Sequence, residues 1–193
     1  MGFGRWFHRD REHAVLSDSI RSALATVTSD LQRHGIAHAV IGAVALAAHG
    51  FVRATTDADF LIAAEGAEHV HELMQSLGFT AVHRTDDVAN YALQFFHVDF
   101  LTARRPYSRA MLKDATEANI AGVVTKIVRL EDLIGLKMQA LANDPTRAQD
   151  RADIDTILAS ECALDLERVR SYYKVFDQEA ELDAKLRTLR AGR

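Results

Sequence analysis

The sequence predicts an α+β fold, with a small mixed β-sheet flanked by helices and a helical part at the C-terminus. Two patterns support this prediction. Up to about residue 128, segments with apolar residues at helical spacing alternate with short β-favouring runs. From Leu130 onward, apolar residues recur only at helical spacing. We therefore expect a flexible N-terminal tail over 1–12, an α/β core over 13–128, and a helical part over 129–193 that packs on the core.

Composition limits the class of protein. The chain has 193 residues and an apolar fraction of 48%, both ordinary for a soluble globular protein. It has no apolar run of about 18 residues and no signal-peptide pattern, so we expect a cytoplasmic protein without membrane contact. With a net charge of −4, a nucleic-acid partner would need a local basic patch. The single cysteine, Cys162, excludes an internal disulfide and is expected to be buried.

Helices and strands are predicted in turn along the first region, and Gly35, Gly50 and Gly78 end three of the helices. The predicted elements are helix 13–34, strand 37–41, short helix 43–49, strand 58–62, helix 66–77, strand 79–84, turn 85–90, a hairpin or bent strand pair over 91–103, helix 108–117 and a strand-like run over 120–128.

Two helices of the C-terminal region each carry a charge on their apolar face. Lys137 lies on the stripe of the helix that begins near Leu130, and Asp150 lies on the inner face of a helix over 146–159. A buried charge is costly unless it is paired. The two residues therefore form either a structural ion pair or a polar floor to a functional cleft, unless Lys137 extends its ammonium group into water. One or two further helices are expected over 164–189.

Two carboxylates, Asp57 and Asp59, stand at the head of the apolar run over 60–62. Strand side chains alternate faces, so both carboxylates point the same way. Like charges this close are tolerated in water or around a shared cation, and an oxygen-rich pair suits a hard divalent ion such as Mg²⁺. An Asp-x-Asp pair is usually only solvated, so its sequence context decides between the two interpretations.

That context resembles a known superfamily. A turn at Gly42-Ala43 precedes a helix-sized segment, and Asp57-x-Asp59 follows on a predicted strand. This order is similar to the signature of the nucleotidyltransferase superfamily, which has a Gly-Gly or Gly-Ser turn, a short helix and then Asp-x-Asp. The helix that begins there also offers backbone N–H groups to a triphosphate. Ala43 departs from the signature because it keeps the backbone donor but lacks a hydroxyl group, which puts nucleotide affinity in question.

Two further pairs of residues resemble the AbiEii-type nucleotidyltransferase toxin branch. These are His49-Gly50 and Arg53-x-Thr55, and the resemblance extends over roughly residues 36–160. It implies that Arg53 and Thr55 support the loop that aims the aspartates and contribute to nucleotide binding.

The segment that carries Lys137 and Asp150 also resembles the AbiEii-type branch. AbiEii-type proteins have a Lys in a Leu-x-x-Leu-Lys-x-x-Ala helix, matched here by Lys137, and an Arg-x-x-Asp-x-x-Asp motif, matched by Arg147, Asp150 and Asp153. The resemblance implies that Lys137 and Asp150 are needed for activity, and that Lys137 neutralises charge on the nucleotide.

Asp99 is the candidate for a third carboxylate. It lies between Val98 and Phe100 in a β-favouring run, where a lone Asp is otherwise an exposed-face residue. The resemblance places it in the slot of the third superfamily aspartate, which completes the metal site or draws the proton from the attacking hydroxyl group. The implied metal ligands are Asp57, Asp59 and Asp99, and the implied cofactor is a pair of Mg²⁺ ions.

The expected function is Mg²⁺-dependent transfer of a nucleoside monophosphate from an NTP to a hydroxyl group of RNA, including tRNA, or of a protein. By resemblance, the protein would be the toxin of a toxin–antitoxin pair, with an antitoxin as partner. Two alternatives stay open: a degenerate member that binds nucleotide or a partner without turnover, and a small-molecule adenylyltransferase. No zinc site is expected, because His69 and His71 are two residues apart on a helix and cannot face one ion.

Overall fold

The computed structural model describes residues 17–160 and 162–191; the tail over 1–12 and the first residues of the helix predicted from 13 lie outside them. The chain divides into two compact units, one that ends at Val128 and one that begins at Arg129. No helix among the described residues has the length and apolar character that a membrane crossing requires.

The first unit combines helices with a mixed sheet. Its helices are α1 (Asp18–Arg33), α2 (Gly42–Ala48), α3 (Ala67–Ser76), which follows a 3₁₀ turn at Ala64–Gly66, and α4 (Pro106–Asp114). Its strands are β1 (His38–Val40), β2 (Asp57–Ala63), β3 (Thr80–Arg84), β4 (Val88–Leu93), β5 (Phe96–Ala103), β6 (Thr116–Ile120) and β7 (Val123–Ile127).

The strands form one sheet in the order β3-β4-β5-β2-β1-β7-β6. The two parallel pairs, β2 with β5 and β1 with β7, lie among antiparallel neighbours. The helices and this mixed sheet confirm the predicted α+β fold class. The parallel pairing of β2 with β5 matters most for function, because these strands carry the three candidate carboxylates.

One face of the sheet is packed by α1 and α3. Phe60 and Phe100 point to this face from β2 and β5 and stack with ring centroids 5.4 Å apart, and Tyr91 from β4 meets Phe100 edge-on. Buried apolar side chains of the two helices complete the layer: Ile20, Leu24, Val27 and Leu31 of α1, and Val70 and Met74 of α3. Because strand residues alternate, the aspartates next to these phenylalanines point to the opposite face.

Three predicted elements were wrong. The predicted turn over 85–90 is shorter, because Thr85 accepts the N–H of Val88 on its hydroxyl group and β4 begins there. The predicted helix over 108–117 ends at Asp114, and the run over 120–128 is not one strand. Ala121 and Gly122 have φ of 49° and 88° and form a tight turn that folds β6 back on β7.

The second unit consists of helices in the part of the chain that the structure describes. They are α5 (Leu130–Asn143), α6 (Ala148–Ala159), α7 (Leu166–Val175) and α8 (Glu179–Ala191). Gly135 lets α5 approach α7 closely, since a Cβ atom there would lie 2.7 Å from the ring of Tyr172. Cys162, expected to be buried, is exposed, because it lies in the connection between α6 and α7.

Candidate active site

The three candidate carboxylates of the first unit share one face of the sheet. In the parallel register of β2 and β5, Asp59 lies directly opposite Asp99 and Asp57 lies opposite His97. All three aspartates are half-buried. The parallel pairing thus brings together side chains that are about forty positions apart in the sequence, on a surface that water can reach.

Gly42 presses directly against this group. Its φ is +64°, and a Cβ atom at this position would lie 2.1 Å from Asp59 Oδ2. The backbone N–H of the preceding Ile41 donates to the carbonyl oxygen of Asp59 at 2.9 Å. Only glycine combines this backbone conformation with so close an approach, so the start of α2 is held beside the Asp59 carboxylate.

Hydroxyl and imidazole groups hold Asp57. Its backbone N–H donates to Thr55 Oγ1 at 3.2 Å, and Thr56 Oγ1 donates to Asp57 Oδ1 at 2.9 Å. His97 Nδ1 lies 3.5 Å from the same carboxylate oxygen. These contacts fix both the backbone and the side chain of the first aspartate. Sequence analysis singled out Thr55 but missed Thr56, whose only signal was its place next to Asp57, and His97, whose partner depends on the strand register.

The environment of Asp99 perturbs its ionisation. Burial raises the pKa of the Asp99 carboxyl group, and the charge of Asp57 raises it further. A hydrogen bond from Asn90, the partner of Asp99 across β4 and β5, and the nearby His97 act in the opposite direction, but the net pKa is higher than normal. Asp99 thus takes up a proton more readily than an ordinary aspartate.

The donor set fits hard divalent ions, because it consists of carboxylate oxygens on one face beside a backbone turn. Asp57 and Asp99 occupy diagonal positions of the two strands, and the oxygens of the three aspartates do not all approach within 4.8 Å. Among residues 17–160 and 162–191, the one group of three ligand side chains that does so is Asp30, His34 and His69.

Two other predicted nucleotide-binding residues belong to the same unit. Ala43 lies in the first turn of α2 and is 2% exposed. Arg53 is half-buried in the loop before β2, and its guanidinium group donates to the carbonyl oxygen of Ala54 at 3.4 Å.

Lys137 and Asp150 belong to the second unit and meet there. Lys137 Nζ donates to Asp150 Oδ1 at 2.8 Å and lies 2.6 Å from Asp153 Oδ2. Arg147 Nε donates to Asp150 Oδ2 at 2.5 Å. Lys137 and Asp150 are each 6% exposed, and Asp153 is 8% exposed. The ion pair considered from the sequence is therefore present, as part of a network with two cations and two carboxylates.

The balance of charge sets the ionisation of Asp150. Burial alone would raise the pKa of its carboxyl group, but the hydrogen bonds from Lys137 and Arg147 outweigh burial and hold the pKa below its usual range. The carboxylate is thus charged and fully engaged at neutral pH.

A second buried network in this unit was not predicted from the sequence. Asp132 is fully buried at the start of α5, where an acidic residue normally only faces the helix N-terminus. It accepts hydrogen bonds from Arg168 Nε at 2.6 Å and from Tyr172 Oη at 2.5 Å. These bonds tie α5 to α7. Burial raises the pKa of the Tyr172 hydroxyl group, and its hydrogen bond to Asp132 raises that pKa further.

Residues 20–188 match the protein family described as "Nucleotidyl transferase of unknown function (DUF2204)". The chain belongs to this family. The prediction of a nucleotidyltransferase, made from Gly42, Asp57 and Asp59, is thereby confirmed at the level of the family and its enzymatic activity. No protein with a curated function matches the chain at a significant level.

Solved structures share the fold. The antibiotic-resistance factor ANT(2'')-Ia is 16% identical, with a TM-score of 0.63 over 86% of this chain and 97% of its own. An antigenic nucleotidyltransferase-like protein from Paracoccidioides brasiliensis is 17% identical, with a TM-score of 0.56 over 89% and 93%. The lincosamide antibiotic adenylyltransferase LnuA is 12% identical, with a TM-score of 0.53 over 74% and 96%. The predicted nucleotidyltransferase fold is confirmed.

Proposed function

We propose that this family member is a Mg²⁺-dependent enzyme that transfers a nucleoside monophosphate from an NTP to an acceptor hydroxyl group. One observation carries the proposal: Asp59 faces Asp99 across parallel strands, Asp57 lies on the same face, and Gly42 places the start of α2 against Asp59. Carboxylates next to the backbone N–H groups at a helix start suit a metal-bound triphosphate.

The three aspartates would be the ligands of two Mg²⁺ ions. Asp57 and Asp59 would hold the ion that accompanies the β- and γ-phosphates, and all three aspartates would hold the second. When bound, Mg²⁺ neutralises charge on the phosphate oxygens and activates the acceptor hydroxyl group. The contacts of Thr55, Thr56 and the imidazole of His97 keep Asp57 oriented for this task.

The remaining groups of the first unit act on the substrates. The backbone N–H groups at Gly42 and Ala43 donate to phosphate oxygens, with the Arg53 and Thr55 loop as support. Asp99 would receive the proton of the attacking hydroxyl group on a carboxylate oxygen that the metal does not engage.

The AbiEii-type resemblance also assigns a role to Lys137 of the second unit. By that resemblance its ammonium group would neutralise charge on the nucleotide or on the departing pyrophosphate, and Asp150, which accepts its 2.8 Å hydrogen bond, would orient it. Asp150 and Asp153 both contact the amine, so its direction is fixed within the second unit.

A hydroxyl group of RNA is the acceptor that we propose first. Arg105, Arg109 and Lys113 recur every four residues, at the N-cap and along α4, and all three are exposed. Helix α4 packs against β2 and β5, the strands that carry the aspartates. This is the local basic patch that a nucleic-acid partner requires on a chain of negative net charge. A protein hydroxyl group is the other acceptor that the resemblance implies.

A small hydroxylated molecule is the second candidate acceptor. The observation in its favour is the match to two proteins described by antibiotic resistance or antibiotic adenylylation. ANT(2'')-Ia is matched over 97% of its own length and LnuA over 96%. The fold of this chain thus accounts for nearly the whole of those two proteins.

A role as the toxin of a toxin–antitoxin pair rests on the AbiEii-type resemblance. Expression of the wild-type chain should then arrest growth of its host, and Asp57→Ala should relieve the arrest. Equal growth with both chains would contradict a toxin role without bearing on transfer activity.

The decisive experiment uses each NTP in turn with a label on its α-phosphate, and measures transfer of that label to an acceptor. Purified protein is incubated with Mg²⁺ and, in separate reactions, with total RNA, with protein lysate and with a panel of aminoglycosides and lincosamides. Asp57→Ala is the matched control. Transfer that requires Mg²⁺ and disappears in Asp57→Ala supports the proposal, and the labelled product identifies the acceptor class. If RNA is labelled, Arg109→Ala with Lys113→Ala should weaken transfer and lower its salt dependence, whereas Lys126→Ala on β7 should not.

Absence of label leads to a second measurement. Calorimetry then tests whether an NTP binds in a Mg²⁺-dependent manner. Binding without transfer, to any acceptor offered, would favour the degenerate nucleotide-binding module. No binding would contradict the enzymatic proposal.

A further inference from the structure

The aspartate group is not the only place in the first unit where metal-ligating side chains converge. Asp30 lies in the last turn of α1, His34 caps the C-terminus of the same helix, and His69 lies in the first turn of α3. One ligand atom from each lies within 4.8 Å of the other two. All three belong to the helices that pack on the sheet face opposite the aspartates.

The helix geometry explains why these residues meet. Asp30 and His34 are four residues apart, which places their side chains on one face of α1. His69 cannot share an ion with His71, which is two residues away and whose Nδ1 contacts Tyr91 Oη at 3.1 Å. The His69 side chain instead points towards α1, and its ring centroid lies 4.1 Å from that of His34.

The distances are close to those of a metal centre. Asp30 Oδ2 lies 2.6 Å from His69 Nε2 and 3.5 Å from His34 Nδ1. Ligand atoms around a tetrahedral Zn²⁺ at 2.0–2.1 Å are separated by about 3.3 Å. The observed values lie on both sides of that separation, so rotations of exposed side chains suffice to reach it. The side chains of Asp30, His34 and His69 are 14%, 45% and 31% exposed, which leaves the cluster open to solvent and to a water ligand.

The charge around the cluster is compatible with a cation. The Arg33 guanidinium group approaches Asp30, but through the other carboxylate oxygen, Oδ1, at 3.4 Å, and Arg33 is largely exposed. Asp30 Oδ2 therefore faces the two imidazoles. His34 Nδ1 also lies 2.9 Å from the backbone oxygen of Asp30, a contact that binding through Nδ1 would exchange for the metal.

The chemistry of the donors selects the class of metal. Two imidazole nitrogens and one carboxylate oxygen suit Zn²⁺ and neighbouring transition metals, whereas Mg²⁺ prefers oxygen ligands only. We propose that Asp30, His34 and His69 form a separate site for a divalent transition metal, with Zn²⁺ as the probe ion, that joins the end of α1 to the start of α3. A metal there connects two helices that lie more than thirty residues apart in the sequence, so binding stabilises the folded first unit.

The test is a Zn²⁺ titration of the untagged full-length protein, freed of metal by chelation, in excess Mg²⁺ that occupies the aspartate group. We expect one Zn²⁺ per chain and a Tm that rises with Zn²⁺. His34→Gln and His69→Gln should each weaken Zn²⁺ binding at least about tenfold, which is the lower limit of what even an outer-sphere partner contributes. His83→Gln removes an exposed histidine of β3 and should change nothing. Asp59→Asn should retain the site, which separates it from the aspartate group.

Co²⁺ provides a readout that needs no variant. In place of Zn²⁺, it should give the visible absorption of a four-coordinate ion in the wild-type chain, and Zn²⁺ should displace it. Absence of Zn²⁺ binding by the wild-type chain, or binding that survives both histidine substitutions, would overturn the proposal. Neither result bears on nucleotidyl transfer, because the two groups of ligands share no residue.

Discussion

The two units of this protein treat charge in opposite ways. In the first unit, Asp57, Asp59 and Asp99 gather like charges on one face of the sheet. In the second unit, Lys137 is enclosed by Asp150 and Asp153, and Arg147 completes a group of equal and opposite charge. One group concentrates like charges on a half-buried face, and the other pairs opposite charges around a buried lysine.

This difference indicates what each group contributes. Burial, and to a smaller extent the charge of Asp57, raises the pKa of Asp99, so the ionised form of this carboxyl group works against folding, and the concentration of carboxylates on adjacent strands is explained by a ligand rather than by stability. In the second unit, the opposite charges of the network offset the desolvation cost of burying them. The lowered pKa of Asp150 shows that Lys137 and Arg147 favour its ionised form. Substitutions in the buried network should therefore lower stability, whereas substitutions in the aspartate group should lower activity with little loss of stability.

The largest effect on stability should come from Lys137→Met. Methionine keeps most of the buried stem but leaves Asp150 and Asp153 without their shared cation, so we expect a loss of about 3–5 kcal/mol in the free energy of unfolding. Urea denaturation followed by circular dichroism measures it. Arg170→Met is the matched control, because the pair of Arg170 with Asp183 is exposed and should hardly matter. Equal midpoints for Lys137→Met and wild type would contradict the structural role of the network.

Gly42→Ala should cost activity more than stability. The added Cβ atom would collide with Asp59 Oδ2, and a carboxylate displaced by about 1 Å can cost roughly a hundredfold in rate. The left-handed backbone adds strain of roughly 1–2 kcal/mol. Gly50→Ala separates the two effects: its φ is +96°, but nothing lies within 4 Å of the added atom. It should show the strain alone, measured by urea denaturation, with transfer activity unchanged. Loss of activity in both variants would mean that strain, not the collision, is responsible.

The pH dependence of stability should have opposite signs in the two units. The folded pKa of Asp99 lies above the unfolded value of 3.8, so its charge costs stability once the pH rises through the interval above 3.8. In chelator, Asp99→Asn should therefore be more stable than wild type at neutral pH, and the gain should vanish below 3.8. The folded pKa of Asp150 lies below 3.8, so its contribution is complete above 3.8 and is lost as the pH falls through the folded value.

Asp150→Asn should accordingly be destabilised most at neutral pH, with a deficit that shrinks on the acid side of 3.8. Urea midpoints of both variants and of wild type, measured in the same buffers from neutral to acidic pH, provide the comparison. Two deficits of the same sign at neutral pH would show that the carboxylate group of the first unit also stabilises the fold.

The features that could be predicted from the sequence are those that depend on residue spacing within a single helix or strand. Helical spacing placed Lys137 and Asp150 on inner faces, and alternation placed Asp57 and Asp59 on one side of a strand; both inferences need only one element at a time. The hairpin at Ala121 and Gly122 was missed because an apolar run on both sides of the turn looks continuous. The roles of the site residues stay predictions.

What the sequence could not supply was register between distant segments. The opposition of Asp59 and Asp99 depends on β2 pairing with β5 in parallel, and the bond from Arg168 to Asp132 depends on how α7 meets α5. The same limitation applies to His69, whose partners come from α1. Such contacts follow from tertiary packing, which has no fixed sequence spacing.

The smallest expected effect belongs to Thr56→Val. It removes the hydrogen bond at 2.9 Å to Asp57 Oδ1 while it keeps the shape of an exposed side chain. A hydrogen bond to a charged group at a wet surface contributes on the order of 1 kcal/mol, so nucleotidyl transfer should slow roughly threefold to tenfold. Stability should stay unchanged, since the carboxylate remains solvated. Thr85→Val, at the turn before β4, is the control for loss of a threonine hydroxyl group away from the aspartates, and it should lower stability without slowing transfer. Full activity in Thr56→Val would mean that Thr55 and His97 alone are enough to orient Asp57.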